Sequence, residues 1–334
     1  MSLTDAPLAP ADAAFRHAVV DDGPGARRGR CAITLALRHA GPRRVSIAWE
    51  CVGDAAAPVL VVAGGISAGR HVVANAADPA PGWWNEQAGA LECERHRVLA
   101  IDWLGSDGDL DVPLDTADQA DAIAAVLDHL GIDRAHAFLG ASYGAMVGLQ
   151  FAARHPHRLG ALLAISGAHR PHPFASALRA LQRRIVRAGA GNAAAVSLAR
   201  QLALLSYRTP EEFAERFAAP AQLRDGRAVV AADAYLQACG ARDAARVDPV
   251  ALLRLGESLD LHAVDPASVR VPTTLVAVAG DRLVPSADLH ALAAALGATC
   301  RLHHLRSHVG HDAFLVEHAA IGAIVREFLA GVAR

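Results

Sequence analysis

Ala135-His-Ala-Phe-Leu-Gly-Ala-Ser-Tyr-Gly-Ala-Met146 decides the fold. The apolar run 135–139 has the length of a buried strand, and from Ala145 the apolar positions keep helical spacing to about His155. Between them stands Gly140-Ala-Ser142-Tyr-Gly144, a G-x-S-x-G motif. A serine on so sharp a strand-to-helix turn takes strained dihedrals, and glycines two residues either side let strand and helix approach without a Cβ clash. The hydroxyl then projects above a helix N-terminus, where developing negative charge is stabilised. The bland alternative is an ordinary turn in which Ser142 merely caps the helix.

The flanks repeat the pattern. Upstream, the runs 32–37 and 45–52 alternate like antiparallel edge strands. The run 58–63 is continuously apolar, as in a strand covered on both faces, 97–105 reads as another buried strand, and 159–166 supplies the next downstream. The first ends in Gly64-Gly65-Ile66-Ser67, a second glycine-rich turn. Thr116 is read as the cap of a helix that Gly131 stops, and Trp83 and Trp84 as structural anchors in a polar loop. Strands alternating with helices predict a mostly parallel, doubly wound α/β sheet. From about residue 173 to 261 the pattern becomes helical (175–187, 193–205, 210–217, 231–242), with no clear strand, before strand-like runs resume at 271–279 and 301–306. That order predicts an α/β-hydrolase core, 29–170 and 263–334, carrying an inserted helical cap, 171–262, behind a flexible leader, 1–28.

Composition narrows the function. The 334 residues are 53% hydrophobic and 20% charged with a formal net charge of −2, so neither nucleic acid nor an anionic membrane is an expected partner. The five cysteines are scattered without a C-x-x-C pair, and the N-terminus lacks a signal-peptide pattern, which together predict a cytoplasmic protein. No stretch approaches the roughly 18 apolar residues of a membrane helix.

A serine nucleophile needs a base, and the base an orienting carboxylate. In this fold their order is Ser, Asp, His, each just past a strand. Ser142, Asp281 after the strand 271–279, and His311 after 301–306 satisfy order and placement together. The backbone N–H groups of Tyr143 and Ile66 are the expected oxyanion donors. His304, His308 and His311 do not form a convincing metal set, because their spacing falls on a strand end and loop, and no metal is predicted.

The chain also resembles the homoserine O-acyltransferases. The resemblance rests on Gly65-Ile-Ser-Ala-Gly-Arg-His71 with Gly82-Trp83-Trp84, on Gly140 to Met146, and on Ile165-Ser-Gly-Ala-His169 with Leu178 to Arg184. Ala199-Arg200, Ser206-Tyr207-Arg208 and Gly310-His-Asp-Ala-Phe-Leu315 complete it. It implies a ping-pong acyl transfer in methionine biosynthesis, with acyl-CoA (acetyl or succinyl) as co-substrate, no other cofactor, and L-homoserine as acceptor. Carried over by position, Arg200 would bind the homoserine carboxylate, Tyr207 would line the pocket and Asp312 would meet the amino group. Relatives pair through the cap, so a homodimer is expected by the same resemblance. The alternatives are transfer to serine or a related hydroxyl amino acid, and an esterase or thioesterase using water. The family usually has Met after the nucleophile. Tyr143, Ala145 and Val147 depart from its pattern beside the acyl pocket.

Overall fold

The computed structural model describes residues 20–21 and 25–332. Its main sheet has nine strands: β1 Val20–Asp21, β2 Ala26–Leu37, β3 Gly41–Val52, β4 Val59–Ala63, β5 Arg97–Ile101, β6 Ala135–Ala141, β7 Leu159–Ile165, then β10 Thr273–Ala279 and β11 Cys300–Arg306. Their order is β1-β2-β3-β5-β4-β6-β7-β10-β11. Pairing is antiparallel from β1 to β5 and parallel from there on. Strands β4, β5 and most of β6 and β7 are buried throughout, because helices cover both faces.

The core helices are α1 Ala88–Leu91, α2 Thr116–His129, α3 Tyr143–Arg154, α9 Ser286–Leu296, α10 Ala313–Val316 and α11 His318–Gly331. The chain thus has the α/β-hydrolase architecture. Between β7 and β10 lie α4 Pro173–Ala188, α5 Ala193–Tyr207, α6 Pro210–Arg216, α7 Ala231–Ala244 and α8 Pro249–Leu261.

Three local expectations need correction. The cap region is not strand-free: β8 Gln222–Arg224 and β9 Arg227–Val229 form a hairpin. Asp115, not Thr116, caps α2, its carboxylate accepting from the N–H groups of Ala117 and Asp118 while the Asp118 side chain closes the capping box. Strand β2 begins at Ala26 and β1 pairs with Arg27 and Arg28, so the sheet enters the stretch read as a leader. Residues 1–19 and 22–24 of that stretch lie outside the described residues.

Candidate active site

Ser142 occupies the β6–α3 turn with φ 54° and ψ −115°, a left-handed conformation unusual for a residue with a Cβ. The neighbouring glycines make the turn possible. A Cβ on Gly140 would stand 2.3 Å from the Gly144 carbonyl oxygen, and one on Gly144 only 2.0 Å from that of Ala63. The Ser142 hydroxyl makes no capping bond to α3. Instead Oγ lies 2.7 Å from His311 Nε2.

His311 sits in a single 3₁₀ turn after β11 and is buried. Its Nδ1 is 2.8 Å from Asp281 Oδ2. The other Asp281 oxygen accepts from the N–H groups of Leu283 and Val284, both at 2.9 Å. One carboxylate therefore closes the turn after β10 and orients the imidazole. With Nδ1–H donated to Asp281, Nε2 is left to accept the Ser142 proton. Burial disfavours the charged ring, but the attraction of Asp281, helped by Asp312, outweighs it and holds His311 above its ordinary pKa.

Two backbone N–H groups flank the serine. That of Tyr143 belongs to the first residue of α3 and so has no intrahelical acceptor. That of Ile66 belongs to the second residue of a turn closed by Ala68 N–H on the Gly65 carbonyl (2.9 Å). The two turns are clamped by Gly144 N–H on the Gly64 carbonyl at 2.8 Å. Behind them a polar cluster braces the loop that follows Ile66. The buried Glu50 carboxylate receives Arg28, His71 Nδ1 (3.0 Å) and Asn75 Nδ2 (3.0 Å), while His71 Nε2 lies 2.7 Å from the Ala80 carbonyl.

Above the serine lies a cavity of about 670 Å³, its floor given by the core and its roof by the cap. Ser142, His311, Ile66, Arg200, Tyr207 and Asp312 all line it. The Tyr207 ring stands 6.0 Å from that of His311, and Phe314 meets the imidazole edge-on at 6.3 Å. Arg200 Nε donates to Asp243 Oδ2 at 2.9 Å, and Asp312 Oδ2 lies 3.0 Å from Arg208 Nε. Burial raises the Asp312 pKa despite Arg208. Both side chains thus arrive with a partner of opposite charge that sequence reading did not identify.

The tryptophans divide their work. Trp84 is a buried anchor donating Nε1–H to the Phe314 carbonyl, whereas Trp83 stacks on it and lines the cavity, against the expectation that both are anchors. Of the C-terminal histidines, His304 packs on His290 and the His308 carbonyl accepts from Thr209, so they do not gather around His311.

A family model for the α/β hydrolase fold matches residues 58–318. The homoserine O-succinyltransferase of Xanthomonas campestris pv. campestris is 56% identical over 328 residues, covering 96% of this chain and 89% of its own. The chain belongs to the homoserine O-acyltransferase family. The serine O-succinyltransferase of Litchfieldella anticariensis is 31% identical over 86% of this chain and 93% of its own. The structure of homoserine O-acetyltransferase from Bacillus anthracis superposes with TM-score 0.83 over 92% of this chain and 99% of that one; at 16% identity this speaks to the fold alone.

Against the homoserine O-acyltransferase pattern, the departure at Tyr143 turns away from the cavity. Its side chain is fully buried, packs edge-on against Trp103 (4.9 Å) and hydrogen-bonds Ser258 Oγ of α8 at 2.6 Å. Burial pushes its phenol pKa up. Tyr143 therefore ties α3 to α8. Ala145 is likewise buried, against Gly167.

Proposed function

We propose that this enzyme transfers an acyl group from acyl-CoA to the hydroxyl of L-homoserine through an acyl-Ser142 intermediate. The observation that carries the reading is the hydrogen-bonded Ser142–His311–Asp281 line on the floor of a cavity that also holds Arg200 and Asp312. His311 takes the Ser142 proton as Oγ attacks the thioester carbonyl, and the N–H groups of Ile66 and Tyr143 receive the oxyanion. The C–S bond breaks, His311 returns the proton to the leaving thiolate, and CoA departs. His311 then takes the homoserine hydroxyl proton as that oxygen attacks the acyl-serine; the second oxyanion collapses with cleavage of the acyl–Oγ bond, and His311 returns the proton to Oγ, restoring Ser142. Asp281 keeps the imidazole in the required tautomer throughout. This chemistry calls for no metal or prosthetic group.

In this reading Arg200 binds the acceptor's carboxylate, Asp312 its ammonium, and Tyr207 the wall between them. The planar guanidinium suits a carboxylate, and an amino acid needs one fixed charge of each sign. Succinyl is the favoured acyl group, because the relative at 56% identity is a homoserine O-succinyltransferase. In this reading the product belongs to methionine biosynthesis and the enzyme is cytoplasmic. Among the described residues no helix is long and apolar enough to cross a membrane. Exposed Leu198 and Leu205 of α5 and Leu223 of β8 favour a homodimer through the cap.

The test is thiol release from succinyl-CoA and acetyl-CoA, each alone, with L-homoserine and with L-serine. Homoserine-stimulated release with succinyl-CoA preferred is expected. Stimulation by serine instead would favour the second reading, supported by the serine O-succinyltransferase relative. Acceptor-independent release would mean a hydrolase, and release surviving Ser142→Ala would remove the nucleophile assignment.

A further inference from the structure

The charges around the cavity do not cancel. Arg200 is matched by Asp243 and Asp312 by Arg208. On the α4 wall two arginines share one carboxylate. Arg179 Nη2 lies 2.6 Å from Asp260 Oδ1, and Arg183 Nη1 lies 2.7 Å from Asp260 Oδ2. The nearby Glu257 is already taken by Arg187 and Arg254. The arginine side chains are only 12% and 13% exposed, so bulk water does little to dilute the surplus positive charge. Arg179 also acts on the reaction centre, its charge opposing protonation of His311.

A lone surplus cation in a half-dry wall is costly unless a ligand supplies the anion. The acceptor does not, because its carboxylate and ammonium are matched by Arg200 and Asp312. The phosphates of CoA are held away from the thioester by the pantetheine arm, and the exposed Arg242 and Arg246 also line the cavity to meet them. An acetyl group has no charge to offer. The anion that remains is one carried by the acyl group itself.

We propose that Arg179 and Arg183, bridged by Asp260, form the subsite for the distal carboxylate of a four-carbon dicarboxylic acyl group. The assignment rests on the acyl-CoA reading above. Asp260 holds the guanidinium groups side by side, and the Arg183 contact to the Gly256 carbonyl (2.9 Å) and the Arg179 contact to Ser176 Oγ (3.2 Å) fix their aim. Arg183 Nε and Nη2 and Arg179 Nη1 carry no hydrogen bond among the described residues, leaving donors for a carboxylate.

The experiment compares succinyl-CoA with butyryl-CoA, which has the same chain length and a methyl in place of the carboxylate. The wild type and Arg183→Gln and Arg179→Gln are each assayed for homoserine-dependent thiol release. Either variant leaves a one-to-one Arg–Asp260 pair, so both are expected to fold, and a thermal melt checks this. The succinyl-to-butyryl ratio of kcat/KM should fall by roughly 10- to 100-fold in each variant, the loss of a charge-assisted contact, with homoserine KM little moved. Arg183→Lys should recover part of the ratio. As an independent readout, succinate should inhibit the wild type at concentrations where butyrate does not. Equal losses with both donors, or a wild type indifferent to the carboxylate, would overturn the subsite. With acetyl-CoA as a third donor, release from acetyl-CoA alone would overturn the subsite but not the acyl-CoA reading, and no release by the wild type from any of the three would overturn both.

Discussion

His262 links the cap to the core, and its environment makes a quantitative forecast. It ends α8, its Nδ1 lies 2.6 Å from Thr116 Oγ1 at the start of α2, and its Nε2 lies 3.0 Å from the Ala168 carbonyl past β7. A carbonyl can only accept, so Nε2 carries the proton and Nδ1 accepts from the Thr116 hydroxyl. The ring is neutral. Burial lowers its pKa from 6.5 to about 4, with Asp115 opposing the shift and His169 adding to it. The unfolded chain therefore binds the proton first as pH falls, and stability rises with pH between about 4 and 6.5. At about 1.4 kcal/mol per pH unit, this one ring costs roughly 3 kcal/mol across the window and about 2 kcal/mol by pH 5.

The perturbation is His262→Gln, which lowers stability at neutral pH but does not titrate. Urea unfolding at pH 7.5 and pH 5 should show the wild type losing about 2 kcal/mol more than the variant. The difference between proteins isolates His262 from the other histidines among the chain's 17. Parallel losses in the two proteins, or an NMR titration placing His262 near its ordinary value, would refute the reasoning.

Asp281→Asn should keep the turn to Leu283 and Val284 yet present an amide donor to His311, lowering kcat by about 10⁴-fold with a native-like melt; a small loss would discount Asp281 as orienter. Because Asp281 and Asp312 hold His311 above its ordinary 6.5, kcat/KM should climb with pH through a midpoint above that value, and Asp312→Asn should move the midpoint down in a pH–rate profile. Tyr143→Phe strands the buried Ser258 hydroxyl and should cost about 1–2 kcal/mol in urea unfolding while leaving kcat nearly unchanged, since the phenol faces away from the cavity.

What could be read from the chain is what its neighbours along the chain decide. The 135–146 stretch is legible because strand, strained serine and helix are contiguous, and Gly140 and Gly144 are demanded by backbone atoms close in sequence or on the next strand. The sheet follows for the same reason, since its apolar runs are local. The pairings inside the cap are not local. Arg179 and Asp260 are 81 residues apart, Arg200 and Asp243 are 43 apart, and no periodicity links them. Glu50 was hidden differently: alternation placed it on a strand, and only the fold brings Arg28 and His71 to it.

The β8–β9 hairpin did leave a mark, Asp225-Gly226, whose positive φ angles of 50° and 74° are those of a two-residue hairpin turn. Its strands are exposed and lack apolar alternation, so the turn signal stood alone. These differences follow the division of labour in the molecule. Ser142, Asp281 and His311 stand just past the ends of core strands, where chain order and turn geometry constrain what can stand there. The charged pairs beside the cavity join separate cap helices, Arg179 of α4 to Asp260 of α8 and Arg200 of α5 to Asp243 of α7, and meet only in the folded cap. Chemistry therefore reads out of this chain more easily than specificity does.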